Sequence, residues 1–480
     1  MRFKGFIGPS YVLQSLRVDC QRCINLYPEI DELGTGNEGE VASLVSTPGL
    51  RLLVTLPTSP VRGVFTDSMG QLWAVGGNVL YQISSSWVAT SIGTLLTFSG
   101  PVAFSDNGIQ AVVVDGTYGY YWNLVAPLSF AQIIDPSFYG ANSVTFMDGY
   151  LIFNKPNSNE FYLSGLNQVV PFNGLDIASA EADPEPLVGL IALQENLYLL
   201  SKSHLEVWYD SGANSFPFQR IQGAVIEIGC ASAASIAYIQ TSVYWLGRDK
   251  NGTGVIYRIQ GLQPTRISTY AIEQELQQLG DLSTAKAWTY QQAGHFFYCL
   301  NLPGANQTWV YDSTIGLWHE RCFLSPSTGL YQRHLADCHA YAFSTNVVGD
   351  YSSGNVYALD LTVFTDNGNA ICRERTAPHL SNNLMRIFHS MFWLDFEAGL
   401  ASDGLGQGTN PQIMLQWSND FAYSYSNEHW VAAGQIGARR MRSIWRRLGV
   451  ARDRVYRVRI TDPIKVTLLG AEIEMELGSS

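Results

Sequence analysis

Along most of the chain, short apolar runs rich in Val, Tyr, Trp and Phe are separated by Gly, Asn and Asp, and one unit recurs. It reads strand, turn, strand, with an aromatic near the end of the second strand. It appears as QLWAVGGNVLYQI, IQAVVVDGTYGYYW, YLIFNKPNSNEFYL and LYLLSKSHLEVWY, then as VYWLGRDKNGTGVIYRI, HFFYCLNLPGANQTWVYD and VVGDYSSGNVYALD. The aromatics are Tyr81, Tyr121, Tyr162, Trp208, Tyr257, Tyr311 and Tyr357, spaced 40, 41, 46, 49, 54 and 46 residues apart. A period of about 40–50 residues with several strands per unit predicts a β-propeller of six or seven blades. A single small sheet cannot bury both faces, whereas blades stacked around an axis can, leaving only short edges exposed. The WD and kelch consensus residues are absent, so the period alone carries this expectation.

One segment departs from the repeat. STYAIEQELQQLG places Ile272, Leu276 and Leu279 on one helical face, has Glu273 and Glu275 near its start and ends at Gly280. This predicts a short amphipathic helix inserted between blades and packed on the propeller rim, and it accounts for the 54-residue spacing. Beyond Tyr357 the repeat dissolves. From about Met385 to Leu477 a second β region is expected, in which Tyr456, Val458 and Ile460 alternate with Arg457 and Arg459. Ile464, Val466 and Leu468 share a face, as do Ile473, Met475 and Leu477, with turns expected at Asp462-Pro463 and Leu469-Gly470. The whole reads as an all-β chain: an N-terminal arm or platform segment over 1–55, a propeller over 56–370 and an antiparallel β-sandwich over 371–480.

Composition agrees with that pattern. The 480 residues are 46% hydrophobic and only 15% charged, with 25 Tyr, 12 Trp and 44 Gly, enough for a sizeable core and many tight turns. The net charge of −12 argues against a protein that grips nucleic acid by neutralising phosphates. Charge is unevenly placed, however. Arg439, Arg440, Arg442, Arg446, Arg447, Arg452, Arg454, Arg457, Arg459 and Lys465 face only Asp453 and Asp462 in their segment, which is therefore +8 while the remainder is −20. Such asymmetry marks an interaction surface, and guanidinium forks pair with carboxylate or phosphate. Contact with a neighbouring subunit or another protein is favoured; DNA contact and a solvated face are the alternatives. Glycines and Pro9 interrupt the N-terminal region, so no secretory signal is read there, and no apolar run reaches the ~20 residues of a membrane span. The seven dispersed cysteines predict reduced, mostly buried thiols.

Candidate chemistry is sparse. Cys20 and Cys23 form one CxxC with no second pair at zinc-ribbon spacing. In RHLADCHAY, His334, Asp337, Cys338 and His339 do not converge readily on one metal, because neighbouring positions on a strand point to opposite faces. GLGQGTN lacks the helix and Lys-Ser/Thr of a phosphate loop. Glu181, Asp183 and Glu185 are a weak candidate for a hard cation, and the sequons at Asn251 and Asn306 read as turns. Ser418, Asp420 and Trp430 stand in the order of a sialidase Asp-box, a structural turn. No cofactor, metal or catalytic residue is expected.

Several blocks, taken in order, resemble one family. They are CINLYPEI (Cys23–Ile30), STPGLRLL (Ser46–Leu53), VRGVFTDSMGQLWAVGGNVLYQI (Val61–Ile83), LEVWYDSGA, GTGVIYRIQGLQPTRISTYAIEQEL and IWRRLGVARDRVYRVRITDPIKVTLLGAEIEMEL. The chain resembles the tail hub or nozzle proteins, also called packaged DNA stabilization proteins, of short-tailed phages. The resemblance implies a non-catalytic virion subunit made in the host cytoplasm and assembled as a hexameric tube. It would sit below the portal and its adapter (head-to-tail connector) and be closed by a needle or plug. It would carry tailspikes or fibres, retain the packaged double-stranded DNA and pass it at ejection, without a membrane anchor. The rival expectation is a tail-associated propeller that binds or degrades glycans, which would need paired carboxylates at a pocket.

Overall fold

The computed structural model describes residues 1–31, 41–180, 184–213, 215–248, 252, 254–383, 385–402 and 406–478. Seven blades surround one axis. Blade 1 contains Val61–Thr66, Leu72–Gly76, Val79–Ile83 and Ala89–Thr94. Blades 2 to 6 follow in chain order, beginning with Ala103–Asp106, Val144–Met147, Leu187–Leu193, Gly229–Cys230 and Lys286–Gln292. Blade 7 takes Ala336–Ala342, Thr345–Asp350 and Asn355–Asp360, and its fourth strand is Gly49–Thr55. Each of the seven repeat aromatics falls on the third strand of a successive blade. The periodic signal was the hairpin joining strands two and three.

Alternation along each strand explains why this ring is stable. On the second strand of blade 2, Ala111 and Val113 enter the core shared with blade 1, whereas Val112 and Val114 enter the core shared with blade 3. The same logic generates seven inter-blade cores, the last joining Val347 and Val356 of blade 7 to Val61, Leu72 and Ala74 of blade 1. The expected helix, α1, spans Tyr270–Leu279. Thr269 caps it by accepting from the Ile272 N–H, Gly280 ends it at φ 71°, and Ile272 and Leu276 lie in the core between blades 5 and 6.

The second module packs two sheets face to face. One runs Leu26–Ile30, Val41–Ser46, Thr467–Leu477, Ile387–Phe396, Ser443–Arg446; the other includes Cys20–Ile24, Arg373–Thr376, Asp453–Ile460, Gln412–Ser418, His429–Ala432. Between them lie Phe6, Phe392, Leu394, Leu415, Trp445, Tyr456, Val458, Ile460 and Leu468. At Leu469-Gly470 the expected turn is replaced by a bulge. Thr467–Leu477 continues as one strand whose register slips between Asp395↔Gly470 and Phe396↔Leu468, leaving Leu469 outside the ladder.

The segment expected as a separate arm over 1–55 is divided between the two modules. Residues 20–46 supply three strands of the sandwich, and Gly49–Thr55 closes the propeller. Cys20–Ile24 joins the modules, pairing parallel to the outer strand of blade 6 at Ile24↔Glu320 and antiparallel to the sandwich strand Arg373–Thr376. At its end Asn25 turns the chain with φ 53°. Asn25 is 2% exposed; its Nδ2 donates to the carbonyls of Cys322 (3.0 Å) and Cys372 (2.9 Å), and its Oδ1 accepts from the Cys322 N–H (3.0 Å). One amide side chain thus ties blade 6 to the start of the sandwich. Asn25→Ala leaves these buried groups unpaired and puts a Cβ-bearing residue without local compensation at positive φ. We expect a loss of about 3 kcal/mol in urea unfolding; an unchanged midpoint would contradict the pinning role.

Candidate interaction surface

The arginine block separates into two populations. Arg439, Arg440, Arg442, Arg446, Arg447 and Arg452 are exposed around the edge strand Ser443–Arg446 and the loops flanking it. Among the described residues the first five make no ion pair; Arg442 rests over the Trp393 ring, 4.7 Å from its centroid. Exposed Ile436, Met441 and Val450 lie among them. Arg454, Arg457 and Arg459, expected on the same surface, are instead internal struts. Arg454 is 1% exposed and donates to the Leu448 carbonyl (2.6 Å) and to Asn419 Oδ1 (3.0 Å). Arg457 donates to Gln416 Oε1 (2.7 Å) and stacks on Tyr425, and Arg459 pairs with Glu374 and Glu428, each at 3.4 Å. The physical reason is position: these three lie on Asp453–Ile460, a strand flanked by neighbours on both sides, so their stems are covered and their heads find partners within the chain.

The junction holds buried charge that sequence reasoning did not single out. Arg375 is fully buried, and its guanidinium donates to the carbonyls of Gly5 (2.9 Å), Phe6, Pro9 (3.0 Å) and Arg22 (3.3 Å) and to Gln21 Oε1 (2.6 Å). Burial draws its pKa down to about 10. Arg22 forks onto Glu320 of blade 6. Glu374 accepts from Tyr331 (2.8 Å) and Thr376 (3.2 Å). Nearby, the His379 ring donates through Nδ1 to Asp453 (2.6 Å) and through Nε2 to the Leu16 carbonyl (2.7 Å), with Cys20 Sγ at 3.5 Å. The Asp453 carboxylate, then Cys20 and the Leu16 carbonyl, hold the imidazolium up to about 10. RERT carries Glu374 and Arg375 and APHL carries His379, but nothing local in the sequence tells a buried arginine from a solvated one.

The remaining candidates resolve as parts of the fold. All seven cysteines are free thiols, six of them buried. Cys23 Sγ donates to the Leu26 carbonyl, and burial pushes its pKa up to about 12. In RHLADCHAY, His334 is buried, Asp337 binds Arg333 (2.6 Å) and Lys286, and His339 stacks on Trp288 and bonds Asn346 (3.0 Å), so the residues point to different partners. Asp420 accepts from Ser418 (2.6 Å) and Ser424 in a turn, as expected of a structural box. Asn306, at φ 55°, sits in a turn; Asn251 lies outside the described residues, as do Glu181 and Asp183, while Glu185 accepts from Ser203. In GLGQGTN, Gly406 and Gly408 have φ of 114° and 91° and belong to a turn; residues 404 and 405 lie outside the described set. No group of three His, Cys, Asp or Glu able to hold a metal, and no helix long and apolar enough to cross a membrane, occurs among the described residues.

The innermost strands enclose a central cavity of about 940 Å³. Asp115 and Asp337 reach it. Asp337 is held by Arg333 and Lys286; Asp115 accepts from Thr97 (2.6 Å) and the N–H groups of Thr117 and Tyr118. Each carboxylate is thus held by neighbours of its own within the fold.

Two measurements check this division. Arg442→Ala/Arg446→Ala/Arg447→Ala should leave the thermal midpoint within about 2 °C of wild type, whereas Arg375→Ala should cost about 3 kcal/mol or more. If the triple variant were the less stable, the assignment would be reversed. The His379 clamp raises a folded pKa above the unfolded value near 6.5, so its contribution is fully present below about pH 6.5 and is lost as pH rises through about 10. The stability gap between wild type and His379→Gln should close over that window; a gap that widens with pH would contradict it.

Among solved structures the chain is similar to streptogramin B lyase (9% identity, TM-score 0.44, 65% of this chain and 97% of that one). It is similar also to the extracellular domain of a hybrid two-component system from B. thetaiotaomicron (9%, 0.45, 73% and 45%) and to the N-terminal domain of Nup159 (9%, 0.42, 71% and 98%). No curated protein sequence matches it. Residues 21–364 match the family described as bacteriophage P22 Gp10, β-propeller, and residues 372–476 match bacteriophage P22 Gp10, β-sandwich. With both modules matched in order over nearly all its length, this chain belongs to the bacteriophage P22 Gp10 family of phage tail structural proteins.

Proposed function

We propose that six copies of this chain form the hub or nozzle of a short phage tail, a tube below the portal adapter that retains packaged DNA and passes it at ejection. The observation that carries this reading is the collinear family match across both modules. Two features of the chain support it. The propeller and sandwich are joined through a continuous sheet, which suits a wall element that must transmit load without hinging. The chain is also net acidic, and an acidic lumen repels phosphate enough for DNA to slide rather than bind. Its partners in this reading are its own copies, the adapter, a needle or plug closing the tube, and tailspikes or fibres. It performs no catalysis.

Reconstruction of intact virions should show six copies around a DNA-wide channel. A single copy, or a peripheral fibre position, would overturn the reading. Purified protein should not turn over host polysaccharide. Turnover that disappears when Asp115 and Asp337 are changed to Asn would instead favour a glycan-degrading propeller.

A further inference from the structure

The chain's excess charge is confined to one module. Residues 49–370, the propeller, contain 12 basic and 24 acidic side chains; the rest of the chain contains 17 of each. The sandwich side is thus neutral overall, yet it gathers at one edge five exposed arginines that form no ion pair among the described residues, with Ile436 61% and Met441 38% exposed among them. Arginine and methionine beside the Trp393 ring, on which Arg442 rests, are the composition of a protein-binding patch rather than of a solvated face.

A complementary patch lies on blades 3 and 4. Asp148 sits at the turn between Val144–Met147 and Tyr150–Asn154, Glu195 at the turn between Leu187–Leu193 and Asn196–Ser201, and Asp210 ends Leu205–Asp210. None of the three is ion-paired among the described residues, and Phe146, Leu166 and Tyr209 are exposed on the same two blades. Burial first, then the charges of Asp210 and Glu195, hold the Asp148 carboxyl above its usual range, as expected of acids crowded without a cation. Within one chain the two patches belong to separate parts: the sandwich joins the propeller at blade 6, and its core shares no residue with the core between blades 3 and 4.

We infer that the arginine edge formed by Arg439, Arg440, Arg442, Arg446 and Arg447 docks on the Asp148–Glu195–Asp210 cluster of a second copy, head to tail. Two different patches at opposite ends of one chain make a heterologous contact, which closes into a ring when the rotation permits. This inference rests on the ring proposed above and deepens it by naming the two faces.

The test is charge reversal in full-length protein supplied to particles that lack it, with copies per particle counted by reconstruction. One variant carries Arg442→Glu, Arg446→Glu and Arg447→Glu; a second carries Asp148→Lys, Glu195→Lys and Asp210→Lys; a third carries all six. Thermal midpoints within a few degrees of wild type confirm that each variant folds. Incorporation should fall about ten-fold or more in each of the first two and recover in the third, where the pairs re-form with exchanged sign. Full incorporation of either three-residue variant, or no recovery in the third, overturns the inference. Full incorporation with premature DNA loss in the arginine variant overturns it in favour of a channel-facing, DNA-contacting edge. If wild type itself forms no ring in these particles, it is the proposed function that fails; if wild type forms the ring and reversal has no effect, only this assignment fails.

Discussion

The strand Cys20–Ile24 has two edges to satisfy, and they belong to different modules. One edge meets the outer strand of blade 6; the other meets Arg373–Thr376 of the sandwich. A buried strand edge cannot leave its N–H and C=O groups unpaired without a cost comparable to many side-chain contacts. Blade 6 therefore does not end in solvent, as the outer strand of a propeller blade ordinarily does, and the sandwich cannot drift from it. Asn25 completes the join with bonds to both sides, and the chain then runs through the sandwich to Gly49–Thr55, which closes blade 7. The strands Cys20–Ile24, Leu26–Ile30, Val41–Ser46 and Gly49–Thr55 thus hold the ring shut and fasten the second module to it.

Charge is used in two ways around this join. Inside it, Arg375 is buried among backbone carbonyls, Glu374 is buried against Tyr331 and Arg459, and buried Glu320 is met by a half-buried Arg22, so removing one member strands its own partners in a poorly hydrated place. Outside it, Arg439, Arg440, Arg442, Arg446 and Arg447 at the sandwich edge form no ion pair among the described residues. The first group specifies how the modules meet, and the second is the one proposed to meet another copy. Residue type does not tell an arginine of one group from an arginine of the other; burial does.

Much of the architecture was legible because propeller blades repeat a local pattern. Seven third-strand aromatics gave the period, the Ile272–Leu276–Leu279 face gave the helix, and alternation of Val458 and Ile460 with Arg457 and Arg459 gave a sandwich strand. What escaped was non-local. Gly49–Thr55 reads like any other strand, and its partner Asn355–Asp360 lies some 300 residues away. The bulge at Leu469 looked like a turn because Leu-Gly can be either, and only the register against Asp395 and Phe396 decides. Arg454, Arg457 and Arg459 looked continuous with the exposed block because sequence reports charge without reporting which strand is flanked on both sides.

The central claim is that residues 20–55 make propeller and sandwich one cooperative unit. Differential scanning calorimetry of the full chain tests it most directly. The account predicts a single transition whose calorimetric and van't Hoff enthalpies agree. Two separate transitions, with the sandwich melting while the propeller remains folded, would contradict it.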